Sequence, residues 1–335
     1  MPKKFESICA ELNIVPIDAK KIKETDRAEF INCITQFTEF SAHHASTRKP
    51  GHVIHIGFVD SNEFNAWAAT WGGEDFIAIN WGVLDTLRNI FERMVETSAF
   101  SWLPETVSPS RLSKWLYECG KFFVFLHELA HIWNGHTSLL AEKGIPLMQE
   151  IRSLSGDKIG NIDLQTMEMD ADGFAAANSF ILGMHYGPRL SLMNEKWEDK
   201  FGSGGIYLVL VSFVTYSVFS LFDSAAAFEE EERTHPAPAL RQYMISHSLI
   251  AKATDIGAFT DDNAISAVFE GAKIAEKAYA EVSGRESNVE AVVKLLTVDG
   301  LRHASKLLRN WHSLRPPLDE LKRGGVLPPL QEISD

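Results

Sequence analysis

The chain has 335 residues, 45% of them hydrophobic and 23% charged, the balance of a folded globular protein. Its formal charge is −13 with no long basic run, which argues against nucleic acid or an anionic membrane surface as a partner. Cys9, Cys33 and Cys119 are few, odd in number and far apart, and Met1-Pro2-Lys3-Lys4-Phe5 lacks a signal peptide's apolar core. Reduced thiols in a cytoplasmic protein are therefore expected.

Residues 1–50 read as a helical arm, with an amphipathic helix from about Asp26 to Phe40 and His43 and His44 in a polar loop. His52 to Val59 alternates polar and apolar residues like a strand. Phe64 to Trp71, the turn Gly72-Gly73, and Phe76 to Asn80 form a hairpin pattern. A helix from about Val83 to Glu96 follows, and then a Pro- and Ser-containing loop over 98–110.

The next helix begins near Ser110 or Arg111 and ends at the C-cap pair Asn134-Gly135. It carries His127-Glu128-Leu129-Ala130-His131 within an apolar run. Residues four apart share a helix face, so His127 and His131 can offer two imidazole nitrogens to one ion, with Glu128 beside them in reach of a bound water. Zinc suits such donors when a carboxylate completes the set and a fourth position stays open. Buried ionisable groups are costly unless paired or metal-bound, which argues against these residues as core filler.

Residues 136–160 read as irregular, and a second helix runs from Asn161 or Asp163 to about Leu182. Glu168 and Asp172 share a face of it with Ala175 and Ser179, small enough for close approach to the first helix. Glu168 is the expected third ligand, with His136 and Asp163 as alternatives. Asp172 is expected to accept the N–H of a ligand imidazole and fix its tautomer. Asp170 faces away on this reading and is expected to be solvated.

Residues 206–222 are almost uninterruptedly apolar, but a membrane crossing there would part Glu168 from His235. A buried core helix is expected, followed by a solvated charge run at Glu229 to Glu232. In Thr234-His235-Pro236-Ala237, the proline fixes an extended turn. His235 is a candidate donor to a substrate carbonyl, and Arg241 either braces the site or pairs with a carboxylate. Helices over Asp262 to Val282 and Ser287 to about Trp311 carry no evident chemistry, with His303 and His312 as surface or packing residues.

Taken in order, Asn65-Ala66-Trp67-Ala68 with Phe76-Ile77-Ala78-Ile79, His127-Glu128-x-x-His131, Glu168-x-x-x-Asp172 and His235-Pro236 with Arg241 resemble the signatures of gluzincin metallopeptidases of the HtpX and CAAX-prenyl-protease type. The resemblance covers roughly residues 60–250, and Thr234-His235-Pro236-Ala237 is similar to peptidases of the Lit phage-exclusion type. It implies an α+β, mostly helical fold with a zincin-like core over 51–250, a small N-terminal sheet and added C-terminal helices over 251–335. It further implies one Zn2+ per chain on His127, His131 and Glu168, Glu128 as general base and His235 as transition-state stabiliser. The membrane-embedded relatives carry transmembrane helices between the first two signatures, where this chain has a short polar loop, so a protein substrate and no membrane span are expected. An extended substrate could add to the strand at Phe76, Ile77 and Ala78, or to its neighbour at Asn65 and Ala66. The competing expectation is a non-catalytic binding or regulatory module with structural zinc, closed by a fourth ligand such as Asp172 or His136.

Overall fold

The computed structural model describes residues 3–20, 22–48, 53–102, 107–145, 148–149, 160–186, 204–223, 235–236, 238–289 and 298–329. The described residues are mostly helical, with one small sheet. Helices α1 (Lys3–Glu11) and α2 (Glu24–Arg48) precede β1 (Ile54–Val59), β2 (Ala66–Trp71) and β3 (Glu74–Asn80). Then come α3 (Trp81–Met94), α4 (Pro109–Trp133), α5 (His136–Glu142), the two-residue β4 (Met148–Gln149) and α6 (Asn161–Tyr186). The chain continues through α7 (Gly205–Asp223), α8 (Pro238–Asp255), α9 (Asp261–Ser283) and α10 (Val298–Leu321).

The β2–β3 hairpin turns through Gly72 and Gly73, both at positive φ (57° and 82°), the conformation a two-residue hairpin needs and glycine adopts freely. The sheet order is β1-β3-β2-β4, with β1 parallel to β3 and the other pairs antiparallel. β3 therefore lies inside the sheet with both edges paired. That corrects the expectation that Phe76, Ile77 and Ala78 could receive an extended substrate: their backbone groups are committed to β1 and β2.

Alternation along the strands separates two buried faces. Trp67, Ala69, Phe76 and Ala78 pack on Phe5, Ile8 and Cys9 of α1. Ile56, Phe58, Ala66, Ala68, Ile77 and Ile79 point the other way, into a core shared with α2, α3 and α4. The strand read over 52–59 is present as β1, and despite its alternating polar and apolar residues it is buried along its whole length. Helix α2 extends past the expected end, so His43 and His44 are helical.

The same core continues through α6, α7, α8 and α9. Helix α7 is buried along the run read as a core helix, and among the described residues no helix is long and apolar enough to cross a membrane. The loop read over 136–160 instead begins with α5. The acidic run Glu229 to Glu232 lies outside the described residues.

Candidate metal centre

Helix α4 starts with Pro109 in its first turn and ends at Asn134, followed by Gly135 at φ 88°. Its last two turns are buried on all sides, and they hold His127, Glu128 and His131 at 4%, 3% and 1% exposure. Helix α6 crosses this end of α4, and the buried Ala171, Ala175 and Ala176 leave room for a carboxylate from α6 to reach the imidazoles. Glu168 does so.

The Nε2 atoms of His127 and His131 are 3.0 Å apart. His127 Nε2 lies 3.3 Å from Glu168 Oε2, and His131 Nε2 lies 3.4 Å from Glu168 Oε1. Metal bonds of 2.0–2.1 Å in a tetrahedral site separate donor atoms by about 3.3 Å. The three donors are buried, belong to the types zinc prefers, and offer one ligand atom each within 4.8 Å of the others. They could hold a metal ion.

Around these donors lies a second set of contacts. Asp172 Oδ1 approaches His127 Nδ1 at 3.0 Å, obliquely to the N–H line, so its charge favours the proton on Nδ1 and the lone pair on Nε2. Arg241, near the start of α8, holds Asp172 with two hydrogen bonds, Nε to Oδ2 at 2.8 Å and an Nη2 donor to Oδ1 at 2.9 Å. It also reaches Glu168 Oε2 at 3.2 Å. Its guanidinium lies 4.5 Å from the centroid of Phe219 on α7. The bracing and the carboxylate pairing anticipated for Arg241 are both present. His235, at the turn before α8, places Nε2 3.4 Å from Glu168 Oε1.

These contacts divide the two histidines. Burial would lower the pKa of His127, but Asp172 and Glu168 outweigh it and raise the value well above that of an ordinary imidazole. For His131, burial together with the neighbouring imidazoles outweighs Glu168 and lowers the value well below it. Glu168 is held well below the usual carboxylate range, its burial overcome by His235, His131 and His127. Asp172 is likewise lowered, its burial overcome chiefly by Arg241.

Two sequence-based expectations are corrected. Asp170 is buried at 4% exposure rather than solvated, because α5 and the end of α4 cover its side of α6. Its Oδ2 accepts from Asn134 Nδ2 at 2.6 Å and lies 3.2 Å from His136 Nε2. His136 and Asp163 do not join the donor set: His136 meets His131 through Nδ1, on the ring edge away from Nε2. Asp163 accepts from Asn310 of α10. The spacing His131-x-x-x-x-His136 across a glycine was the one available sign of the former.

A cleft opens beside the donors. Glu128, His127 and Arg241 line it together with Asn65, Ala66 and the apolar side chains Phe64, Val83, Phe123, Val124, Val218 and Phe219. Asn65 and Ala66 thus reach the site, at the start of β2, while β4 pairs further along at Trp67 and Ala68. Thr234 and Ala237 lie outside the described residues. No protein-family model, no curated protein and no solved structure matches this chain.

Proposed function

We propose that the protein is a zinc-dependent endopeptidase with a zincin-like core, acting on a protein substrate, as its resemblance to gluzincins of the HtpX and Lit types implies. One observation carries this reading: three protein donors, His127, His131 and Glu168, gather beside a cleft that Glu128 also lines. Structural zinc usually has four protein ligands, whereas catalytic zinc keeps a position open. The two residues that could have closed the site are occupied elsewhere, Asp172 with His127 Nδ1 and Arg241, and His136 with His131 Nδ1. This favours the enzyme over the structural module.

Zinc held by His127, His131 and Glu168 would supply Lewis acidity toward water and the scissile carbonyl. Glu128 takes a proton from the attacking water and delivers it to the leaving amine, a role whose loss typically costs about 10²–10⁴-fold in rate. His235 donates to the oxygen on which charge develops, and one such donor contributes about 2.7–4 kcal/mol. Asp172, held by Arg241, keeps His127 in the tautomer that presents Nε2. Asn65 and Ala66, at the start of β2, wall the cleft next to Glu128, but their amides are already bonded to Glu63 O and to Asn65 Oδ1, so they do not offer an open strand edge to an extended peptide. The apolar cleft walls exclude water from the reacting atoms.

Metal analysis and a cleavage screen in cell lysate test this together. Glu128→Gln is expected to retain zinc and lose cleavage by about 100-fold or more. His127→Ala and Glu168→Ala are expected to lose the metal, and chelator to abolish wild-type cleavage. A fully zinc-loaded His127→Ala protein would end the assignment.

A further inference from the structure

Gly135 takes a left-handed conformation at the end of α4, and the chain folds back so that His136, the first residue of α5, sits beneath His131. His136 is completely buried. Its Nδ1 is 3.0 Å from His131 Nδ1, and its Nε2 is 3.2 Å from Asp170 Oδ2. A side chain inside the protein next to a candidate metal ligand, with its second nitrogen facing a carboxylate, is more than packing requires.

The charge of Asp170 favours one arrangement of protons along this chain. A neutral imidazole carries one N–H. Asp170 Oδ2, which already accepts from Asn134, lies 3.2 Å from His136 Nε2 but off the line of a hydrogen bond, and its negative charge favours the tautomer of His136 with the proton on Nε2. Nδ1 of His136 is then an acceptor. His131 must meet it with Nδ1–H, which leaves the His131 lone pair on Nε2, facing His127 Nε2 and Glu168. The opposite arrangement would set an imidazole lone pair against a carboxylate oxygen inside the protein, with no donor between them.

We infer that His136 is a positioning residue for the metal ligand His131, oriented in turn by Asp170, and that it commits the Nε2 lone pair of His131 to the ion. The two candidate ligands are thereby set by different means. Asp172 contacts His127 directly, whereas Asp170 acts on His131 through an intervening imidazole. The inference rests on the metal-centre reading above, and its test reads metal affinity, which activity does not enter.

Zinc affinity, measured by competition with a chromophoric chelator on the full-length protein, is compared for wild type, His136→Leu and His136→Asn, with circular dichroism checking the fold. Leucine removes the acceptor at similar bulk, and the expected result is a 10–100-fold weaker site. Asparagine carries Oδ1 where Nδ1 stood, and is expected to return affinity to within a few-fold of wild type. The Co2+ absorption spectrum of His136→Leu is expected to shift, as a reoriented His131 changes the ligand field. If wild type binds zinc and His136→Leu binds it equally well, the role assigned to His136 is wrong. The same holds if both variants are weakened alike, because loss of packing then explains the effect. Should His136→Leu not fold, Asp170→Asn decides: several-fold weaker zinc supports the relay, and unchanged affinity overturns it. A wild-type protein that takes up no zinc removes the metal centre itself, and this inference with it.

Discussion

Glu276 of α9 is 3% exposed and carries a closed set of donors. Arg285 gives it two hydrogen bonds of 2.7 Å, and the backbone N–H of Asn288 gives another of 2.7 Å. Burial alone would raise its pKa, but Arg285 and Asn288 outweigh burial and lower it. A carboxylate depressed in the folded state adds stability that is present above its unfolded pKa, about 4.3, and is lost as pH falls through the lower folded value. Glu276→Gln is therefore expected to cost about 1 kcal/mol at neutral pH, discounted because Arg285 is partly exposed. The gap between variant and wild type is expected to close on acidification below pH 4, as read from urea titrations across pH. The contrast between Asp170 and Asp172 shows what such single-residue reasoning can reach from sequence. Glu168 and Asp172, four apart on α6, share a face, and both meet the imidazoles as the spacing requires. Asp170 lies on the opposite face, where helix geometry alone says solvent. Its burial depends on α5 and Asn134 covering that face, a tertiary fact with no local signature.

At the scale of elements, α7 packs closely against α9 at Gly271. A Cβ built there would lie 2.2 Å from the carbonyl oxygen of Val209 and 3.0 Å from the amide nitrogen of Phe213. Ser212 on the same turn of α7 donates to Val268 O at 2.6 Å, a second link across the contact. Two effects oppose each other in Gly271→Ala. Alanine is the better helix former by about 1 kcal/mol, whereas overpacking a fixed contact costs about 1–3 kcal/mol. The obstacle is backbone inside a helix and cannot swing aside, so the clash wins. The variant is expected to be less stable by about 2 kcal/mol in chemical denaturation; an alanine variant as stable as wild type would show that the helices can separate without cost. The apolar run over 206–222 and the alanine-rich stripe of α9 made both helices legible in the sequence. Their pairing was not, since neither pattern names its partner. Strand order was hidden for the same reason: the Gly72-Gly73 turn specifies β2 next to β3, but nothing local places β1 on the other side of β3.

Across the whole molecule, the C-terminal segment holds the end of the helix that carries His127 and His131. The backbone N–H groups of Arg323 and Gly325 both donate to Trp133 O, at 2.8 and 3.0 Å, satisfying a carbonyl that the helix end leaves open. The Arg323 side chain goes further, with Nη1 3.1 Å from Asp75 Oδ2 on β3 and Nε donating to Ser138 Oγ of α5 at 3.1 Å. Asp75 is 1% exposed and also accepts from Thr70 at 2.6 Å, and Thr70 in turn contacts Thr137 of α5 at 2.9 Å. Sheet, α4, α5 and the C-terminal segment thus meet at Arg323, through its guanidinium and its backbone N–H, a role the polar tail did not disclose because every partner comes from a distant part of the chain. Removing one member of a buried pair costs about 3–5 kcal/mol, since the charge left behind stays buried. Arg323 is 21% exposed on its side chain, which lets water reach Asp75 in its absence and reduces the expected loss to about 2 kcal/mol for Arg323→Ala. In a thermal melt that corresponds to a fall of several degrees. Arg323→Lys keeps the charge but cannot span Asp75 and Ser138 with a planar fork, so it is expected to fall between the two. Because α5 also carries His136, the loosened contact should propagate to the metal site. Zinc is therefore expected to raise the melting temperature of Arg323→Ala by less than it raises that of wild type, because a loosened site binds the ion more weakly. Equal zinc-induced shifts in the two proteins would mean that the C-terminal segment supports the fold without reaching the metal centre.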